Sequence, residues 1–125
     1  SYNVSFSNYK VAKDYFNNKV EILLEYISKG QAIAFGAFNN KLIGLIWCYP
    51  RLFLNEKRLH INHFVVSELF RGLGIGSMLM KEVEGYAIEN EIKIIDLMVT
   101  SSSPSVNFYK QNEFFIERYQ MIKRL

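Results

Sequence analysis

Arg71, Gly72, Gly74 and Gly76 stand at a spacing suited to holding an anion. Three glycines at alternate positions leave backbone N–H groups uncovered by side chains. An apolar run over 60–66 enters this turn and helix-forming residues leave it, so the positive end of a helix dipole falls at the same place. Arg71 adds a fixed positive charge at the edge. The chemistry is that of phosphate or pyrophosphate binding. A Walker loop would end in Gly-Lys-Ser or Gly-Lys-Thr, and no such triplet exists here. A dinucleotide fingerprint counted from Gly72 meets Ser77 where its third glycine should stand. Asp96 lies inside the next apolar run rather than at its end, so it does not supply the ribose contact of that fingerprint. A plain strand-to-helix turn needs only one glycine, and three beside an arginine favour a ligand.

Arg71, Gly74 and Gly76 also spell Arg-x-x-Gly-x-Gly. They sit in Phe64-Val-Val-Ser-Glu-Leu-Phe-Arg-Gly-Leu-Gly-Ile-Gly76, and Ser105-Val-Asn-Phe-Tyr109-Lys-Gln-Asn-Glu-Phe114 follows later. On these residues the sequence resembles the GNAT superfamily of acetyl-coenzyme A-dependent N-acetyltransferases, well over 59–121 and more vaguely over 1–58. The resemblance implies an acyl-CoA N-acyltransferase fold, with acetyl-CoA as acetyl donor and a primary amine as acceptor. It implies that Arg71, Gly72, Leu73, Gly74, Ile75, Gly76 and Ser77 hold the pyrophosphate. Backbone groups of Phe64, Val65 and Val66, on a central strand splayed from its neighbour, would meet the pantetheine arm and the thioester carbonyl. Asn107 would bond the pantetheine amides. Tyr109 would be the general acid, since a tyrosine can give its proton to a departing thiolate. A packing role like that of Phe108 is the alternative for Tyr109, and a solvent-facing asparagine the alternative for Asn107. Ser102, Ser105 and Glu113 depart from the family's usual Asn, Ala and Gly, and Asn112 is an alternative left-handed residue ending that helix.

The base is the least legible part. Many family members carry a glutamate on the central strand, and the matching position is Asn62, followed by His63. A histidine can accept the amine's proton directly or through water. Strand alternation places His60 and Asn62 on one face and His63 on the other. Glu68 falls at the linker, where a surface position is expected. Two histidines without a cysteine or carboxylate cluster make no metal site. A non-catalytic acyl-CoA-binding module and a transferase of longer acyl groups are the rival functions. Exposed strand edges leave a homodimer open.

These residues need a scaffold. With 125 residues, half of them hydrophobic and 22% charged, the chain suits one globular domain over 1–125. A net charge of +3 suits an anionic cofactor, and its scattered positives mark no nucleic-acid surface. The lone Cys48 excludes an internal disulfide and reads as a buried thiol. No segment approaches the ~20 apolar residues of a membrane span, so a cytoplasmic enzyme is expected. The pattern predicts an α/β domain with a mixed, mostly antiparallel sheet flanked by helices. A short strand covers 2–6, and one bent helix or two short ones cover 9–29. Strands over 31–38 and 41–49 flank an Asn39-Asn40 turn with both residues at positive φ. Pro50 ends the second strand, and 51–57 is a loop. The central strand spans 58–66, a helix 74–89 and a buried strand 92–99. Ser103 caps a helix from Pro104 to Gln111, and a last strand covers 114–121.

Overall fold

The computed structural model describes residues 3, 4, 29 and 32–125. The helical expectation over 9–29 therefore lies outside the described residues except at Lys29, which is in a turn. Among the described residues five strands form one mixed sheet in the order β1 (Asn3–Val4), β2 (Ile33–Phe38), β3 (Leu42–Phe53), β4 (Glu56–Val66) and β5 (Ile94–Asp96). All neighbours are antiparallel except β4 and β5, which run parallel. Helix α1 (Ile75–Glu89) leaves the glycine turn, and α2 (Val106–Gln111) follows β5.

The apolar alternation of β3 and β4 makes two layers. Ile43, Ile46, Cys48, Leu59 and Ile61 pack against Ile75, Leu79, Met80, Val83 and Ala87 of α1. Leu45 and Trp47 face the other way, with Ala32, Ala34 and Tyr49. The helix lies close on the sheet at Gly44, where an added Cβ would stand 3.1 Å from Leu79 Cδ1 and 3.3 Å from Ile75 Cγ2. A helix seated this low carries its N-terminus, and with it the glycine turn, to the end of β4.

Several local expectations are corrected. Pro50 does not end a strand. It sits inside β3 opposite Leu59, beyond Cys48, the last β3 residue that β2 pairs with. Its missing N–H therefore removes no β2 bond. In place of a 51–57 loop, β3 and β4 turn through Leu54 and Asn55, with φ of 51° and 62°. Positive φ at both central residues is what a two-residue hairpin requires, and leucine does not advertise it. At the β2–β3 turn only Asn40 has positive φ, because the loop is three residues long, between Phe38 and its partner Leu42.

The strand expected over 92–99 is just Ile94–Asp96, and Met98 and Val99 are exposed rather than buried. Residues 114–121 pair with no strand among the described residues, and Phe115 and Tyr119 are exposed. Helix α2 begins at Val106 with Ser105 as N-cap, although Ser103 Oγ does accept from Ser105 N at 3.3 Å. The left-handed residue after α2 is Glu113 (φ 68°), not Asn112 (φ −96°). No helix among the described residues is long and apolar enough to cross a membrane.

Candidate active site

The parallel ladder between β4 and β5 lasts for three pairs: Arg58–Ile94, Leu59–Ile95 and His60–Asp96. Beyond it β4 continues to Val66 on its β3 side, while β5 stops. A cleft of about 240 Å³ opens there. Ile61, Asn62, His63 and Phe64 line it from β4, Leu97 to Thr100 from the chain after β5, and Ser103, Ser105 and Tyr109 from the α2 region. The splayed central strand expected from the sequence is thus present.

At the far end of β4 a short 3₁₀ turn (Glu68–Phe70) leads to Arg71, whose Nε donates to Val66 O at 3.1 Å. Gly72 and Gly74 have φ of 78° and 84°, and an added Cβ at either would meet nothing within 4 Å. Side chains are disfavoured there by backbone conformation, and space is left over the turn. Gly74 is the N-cap of α1 and makes no side-chain cap bond. The first N–H groups of a helix lack partners within it, so this end suits an anion. Gly76 differs from the other two: its Cα faces Phe108 Cε1 and Phe64 Cζ, 3.3 Å and 3.5 Å from a hypothetical Cβ. Arg71, Leu73 and Ser77 are exposed beside this turn, and Ile75 is buried beneath it. These features fit the pyrophosphate of a coenzyme.

Tyr109 stands half-buried at the cleft wall. Its ring meets Phe64, Phe108 and Phe114 at centroid distances of 6.4, 5.6 and 5.6 Å. Burial raises the phenol above the ordinary tyrosine value, so the group is a proton donor over a wide pH range. Asn107 is exposed on α2 and does not line the cleft. Val66 packs on the α1 side, whereas Val65 pairs with Leu45 on the other. Cys48 is buried, and its thiol is pushed up to about 12 by desolvation, so it is no nucleophile.

The two histidines share a face, contrary to simple alternation. Trp47 pairs with His63 while the next residue, Cys48, pairs with Ile61, so Asn62 is an extra, bulged residue. His60 pairs with Tyr49, two positions from Trp47 on the same side of β3, and the His60 ring meets the Tyr49 ring at 5.3 Å.

Sequence reasoning also missed a charged cluster at the root of the cleft. His60 Nδ1 lies 2.7 Å from Asp96 Oδ1. Asp96 Oδ2 accepts from Arg51 at 2.9 Å and from Arg58 at 3.3 Å. Arg58, with its side chain 3% exposed, also donates to Glu117 at 2.7 and 2.8 Å and to Glu56 at 3.0 Å. This ties the chain after Phe114 to β4 by side chains instead of a backbone ladder. The available signal was the alternation Glu56, Arg58, His60 along one strand face, opposite a lone aspartate in an apolar run.

Burial raises the Asp96 carboxyl, but hydrogen bonds from Arg51 and His60 outweigh it, and the net pKa is lowered. Glu117 is lowered chiefly by its bonds to Arg58. Depressed folded-state values mean stability that is present above the ordinary carboxyl pKa, about 4, and lost as pH falls through the folded values. Urea midpoints measured from neutral pH downward are expected to hold steady and then drop below about pH 4. Asp96→Asn lowers the neutral-pH midpoint and flattens that acid drop. An unchanged acid drop in the variant would remove Asp96 from the account.

The match to known proteins agrees with this geometry. The family model described as "Acetyltransferase (GNAT) family" matches residues 5–114. A search of curated protein sequences finds no match. Among solved structures, a Pyrococcus furiosus chain provisionally described as an acetyl transferase is 24% identical with a TM-score of 0.79, each chain covered in full. Glucosamine-6-phosphate N-acetyltransferase from Arabidopsis thaliana is 13% identical with a TM-score of 0.77, over 99% of this chain and 98% of that one. Ribosomal-protein-alanine N-acetyltransferase from Brucella melitensis biovar Abortus 2308 is 16% identical with a TM-score of 0.75, over 100% and 99%. At such identities these likenesses concern the fold, and the family rests on the match over residues 5–114. With the glycine turn, the splayed strand and the family model in accord, this chain belongs to the GNAT acetyltransferase family.

Proposed function

We propose that the chain moves an acetyl group from acetyl-CoA to a primary amine in one direct transfer. The observation that carries this reading is the cleft itself, with Tyr109, Asn62 and His63 on its walls and the glycine turn where β4 ends. Arg71 and the 72–77 turn would hold the pyrophosphate, and the backbone of Phe64, Val65 and Val66 the pantetheine arm, with Asn107 at its outer side. The coenzyme supplies an activated thioester. The chain's own residues position the carbonyl, receive the amine beside Asn62 and His63, and move protons. In the transfer the amine nitrogen bonds to the acetyl carbon and the carbon–sulfur bond breaks. Tyr109 protonates the leaving sulfur. The ammonium of the acceptor loses one proton to the solution, so coenzyme thiol, amide and one H⁺ are the products.

Direct transfer is supported by Cys48, which is buried and held as the thiol. The Arabidopsis and Brucella neighbours are named for an amino sugar phosphate and for a protein alanine. Both acceptors present a primary amine, and that class comes over without either scaffold.

The test is calorimetric titration with acetyl-CoA, followed by thiol release from acetyl-CoA with a panel of primary amines. Binding and amine-dependent release are expected. A folded protein that binds no acetyl-CoA defeats the reading. Binding without turnover on any amine would make the chain an acyl-CoA-binding module.

A further inference from the structure

The acetyl-transfer reading leaves the acceptor's proton without a named destination, and the root of the cleft offers one. We propose that His60, oriented by Asp96, is the base that takes the proton from the acceptor's ammonium, on its Nε2 atom. The inference rests on the acetyl-transfer reading given above.

Four observations carry it. First, His60 and Asp96 form the last pair of the β4–β5 ladder, so they close the root of the cleft whose walls begin at Ile61 and Leu97. Second, the two oxygens of Asp96 are divided between partners. Oδ2 is occupied by Arg51 and Arg58, and Oδ1 faces His60 Nδ1 at 2.7 Å. A carboxylate held by two guanidiniums stays ionised and accepts, so Nδ1 of His60 carries the hydrogen, and in the neutral ring the lone pair is on Nε2. A carboxylate-oriented imidazole of this tautomer is the arrangement that makes histidine a general base elsewhere.

Third, the bulge at Asn62 puts His60 and His63 on one face of the sheet, with Trp47 and Tyr49, while Tyr109 packs with the α1 side. His60 and Tyr109 thus stand on opposite faces of the sheet, on either side of the point where the β4–β5 ladder ends. Fourth, His60 is buried with 8% exposure and adjoins the cleft without lining it, so the proposed transfer runs through a water between Nε2 and an amine at the neighbouring wall. Among the described residues the charged and titratable groups of this cluster are Arg51, Arg58, Asp96, Glu56, Glu117 and Arg118, with Tyr49 against the His60 ring and His63 on the same face.

Proton and charge balance is simple. R–NH₃⁺ and neutral His60 give R–NH₂ and the imidazolium. The free amine forms the C–N bond as the carbon–sulfur bond breaks, Tyr109 protonates the leaving sulfur and regains its proton, through water, from the acylated nitrogen, and the imidazolium returns its proton to water.

The experiment compares the parent with His60→Gln, His63→Gln and Asp96→Asn. Thiol release from acetyl-CoA is followed against pH, alone, with phenethylamine and with aniline. Phenethylamine is protonated at neutral pH and must lose a proton before attack, whereas aniline is not. His60→Gln is expected to slow the phenethylamine reaction about 10²-fold or more at neutral pH, with a much smaller effect on aniline. His63 only adjoins the acceptor, so His63→Gln is expected to change both amines alike. In Asp96→Asn the arginines claim the amide oxygen, the amide NH₂ turns to His60, and the ring proton moves to Nε2. Imidazole ¹⁵N shifts then show bare Nδ1 and protonated Nε2, the reverse of the parent.

Equal slowing of both amines in a folded His60→Gln, or selective slowing of phenethylamine in His63→Gln alone, overturns the proposal. So does a parent whose Nε2 is the protonated nitrogen at neutral pH. If the parent consumes neither amine, an unchanged rate of acetyl-CoA hydrolysis in His60→Gln overturns it as well. Failure of the parent to bind acetyl-CoA is a separate result, and it defeats the acetyl-transfer reading itself.

Discussion

Tyr109→Phe is expected to cut the rate of amine acetylation about 10²- to 10³-fold while leaving acetyl-CoA affinity within about twofold. The ring contacts of Tyr109 are with Phe64, Phe108 and Phe114, and phenylalanine keeps all three. Only the hydroxyl is removed, and with it the donor for the leaving sulfur. The thermal midpoint should therefore stay close to that of the parent. The pH profile gives a second reading. The protonated phenol is the active form, and burial raises its pKa, so the parent's activity should persist past the ordinary tyrosine value of about 10 before it falls. In the variant that alkaline limb disappears. A variant with the parent's rate, or one that loses rate and fold together, would return Tyr109 to a packing role.

Gly74→Glu should weaken acetyl-CoA binding at least about 100-fold, roughly 3 kcal/mol. Nothing lies within 4 Å of the position its Cβ would take, so the side chain enters the space over the turn rather than a packed interior. There it would bring a negative charge to where two phosphates must sit, at the positive end of α1. The positive φ of 84° adds strain that any side chain would feel, on the order of 1 kcal/mol. Gly74→Ala isolates that strain. It should lower the thermal midpoint as much as Gly74→Glu does and yet bind acetyl-CoA far better. Gly76 is the poorer test, because a side chain there would push on Phe108 and so disturb the helix that carries Tyr109. Calorimetry showing equal affinity for parent and Gly74→Glu would remove the turn from coenzyme binding.

What the sequence disclosed follows a physical rule. Features written in consecutive residues were legible: the glycine turn, the 3.6-residue spacing that buries Leu79, Val83 and Ala87, and the apolar runs of β2, β3 and β4. The mixed, mostly antiparallel sheet and its splayed β4 follow from those runs and from the family resemblance, and the topology bears them out. Features decided across strands were not legible. The bulge at Asn62 exists only as a slip of register between β3 and β4, and one slip reverses the side on which every later residue points. That slip turned His63 onto the face of His60. Pro50 misled because a rule about ladder bonds needs to know which edge has a neighbour. Asp96 seemed an interruption in an apolar run because Arg51, Arg58 and His60, its partners, lie at least 36 positions earlier in the chain. The last strand failed for a similar reason: alternation in 114–121 gives a strand something to bury, but it supplies no neighbour to pair with.

Cys48 has a use that its lack of catalytic promise obscures. It lies in the middle strand of the sheet, fully covered, with its Sγ 3.7 Å from Ile33 O and its thiol pushed up to about 12. Thiol reagents attack the thiolate, so the native chain should be almost silent to them and become labelled only when β2 and β3 part. Since the protein holds no other cysteine, labelling kinetics read the opening of one known place in the core without any engineered probe. The sheet carries its own clock, and every variant named above can be timed against it.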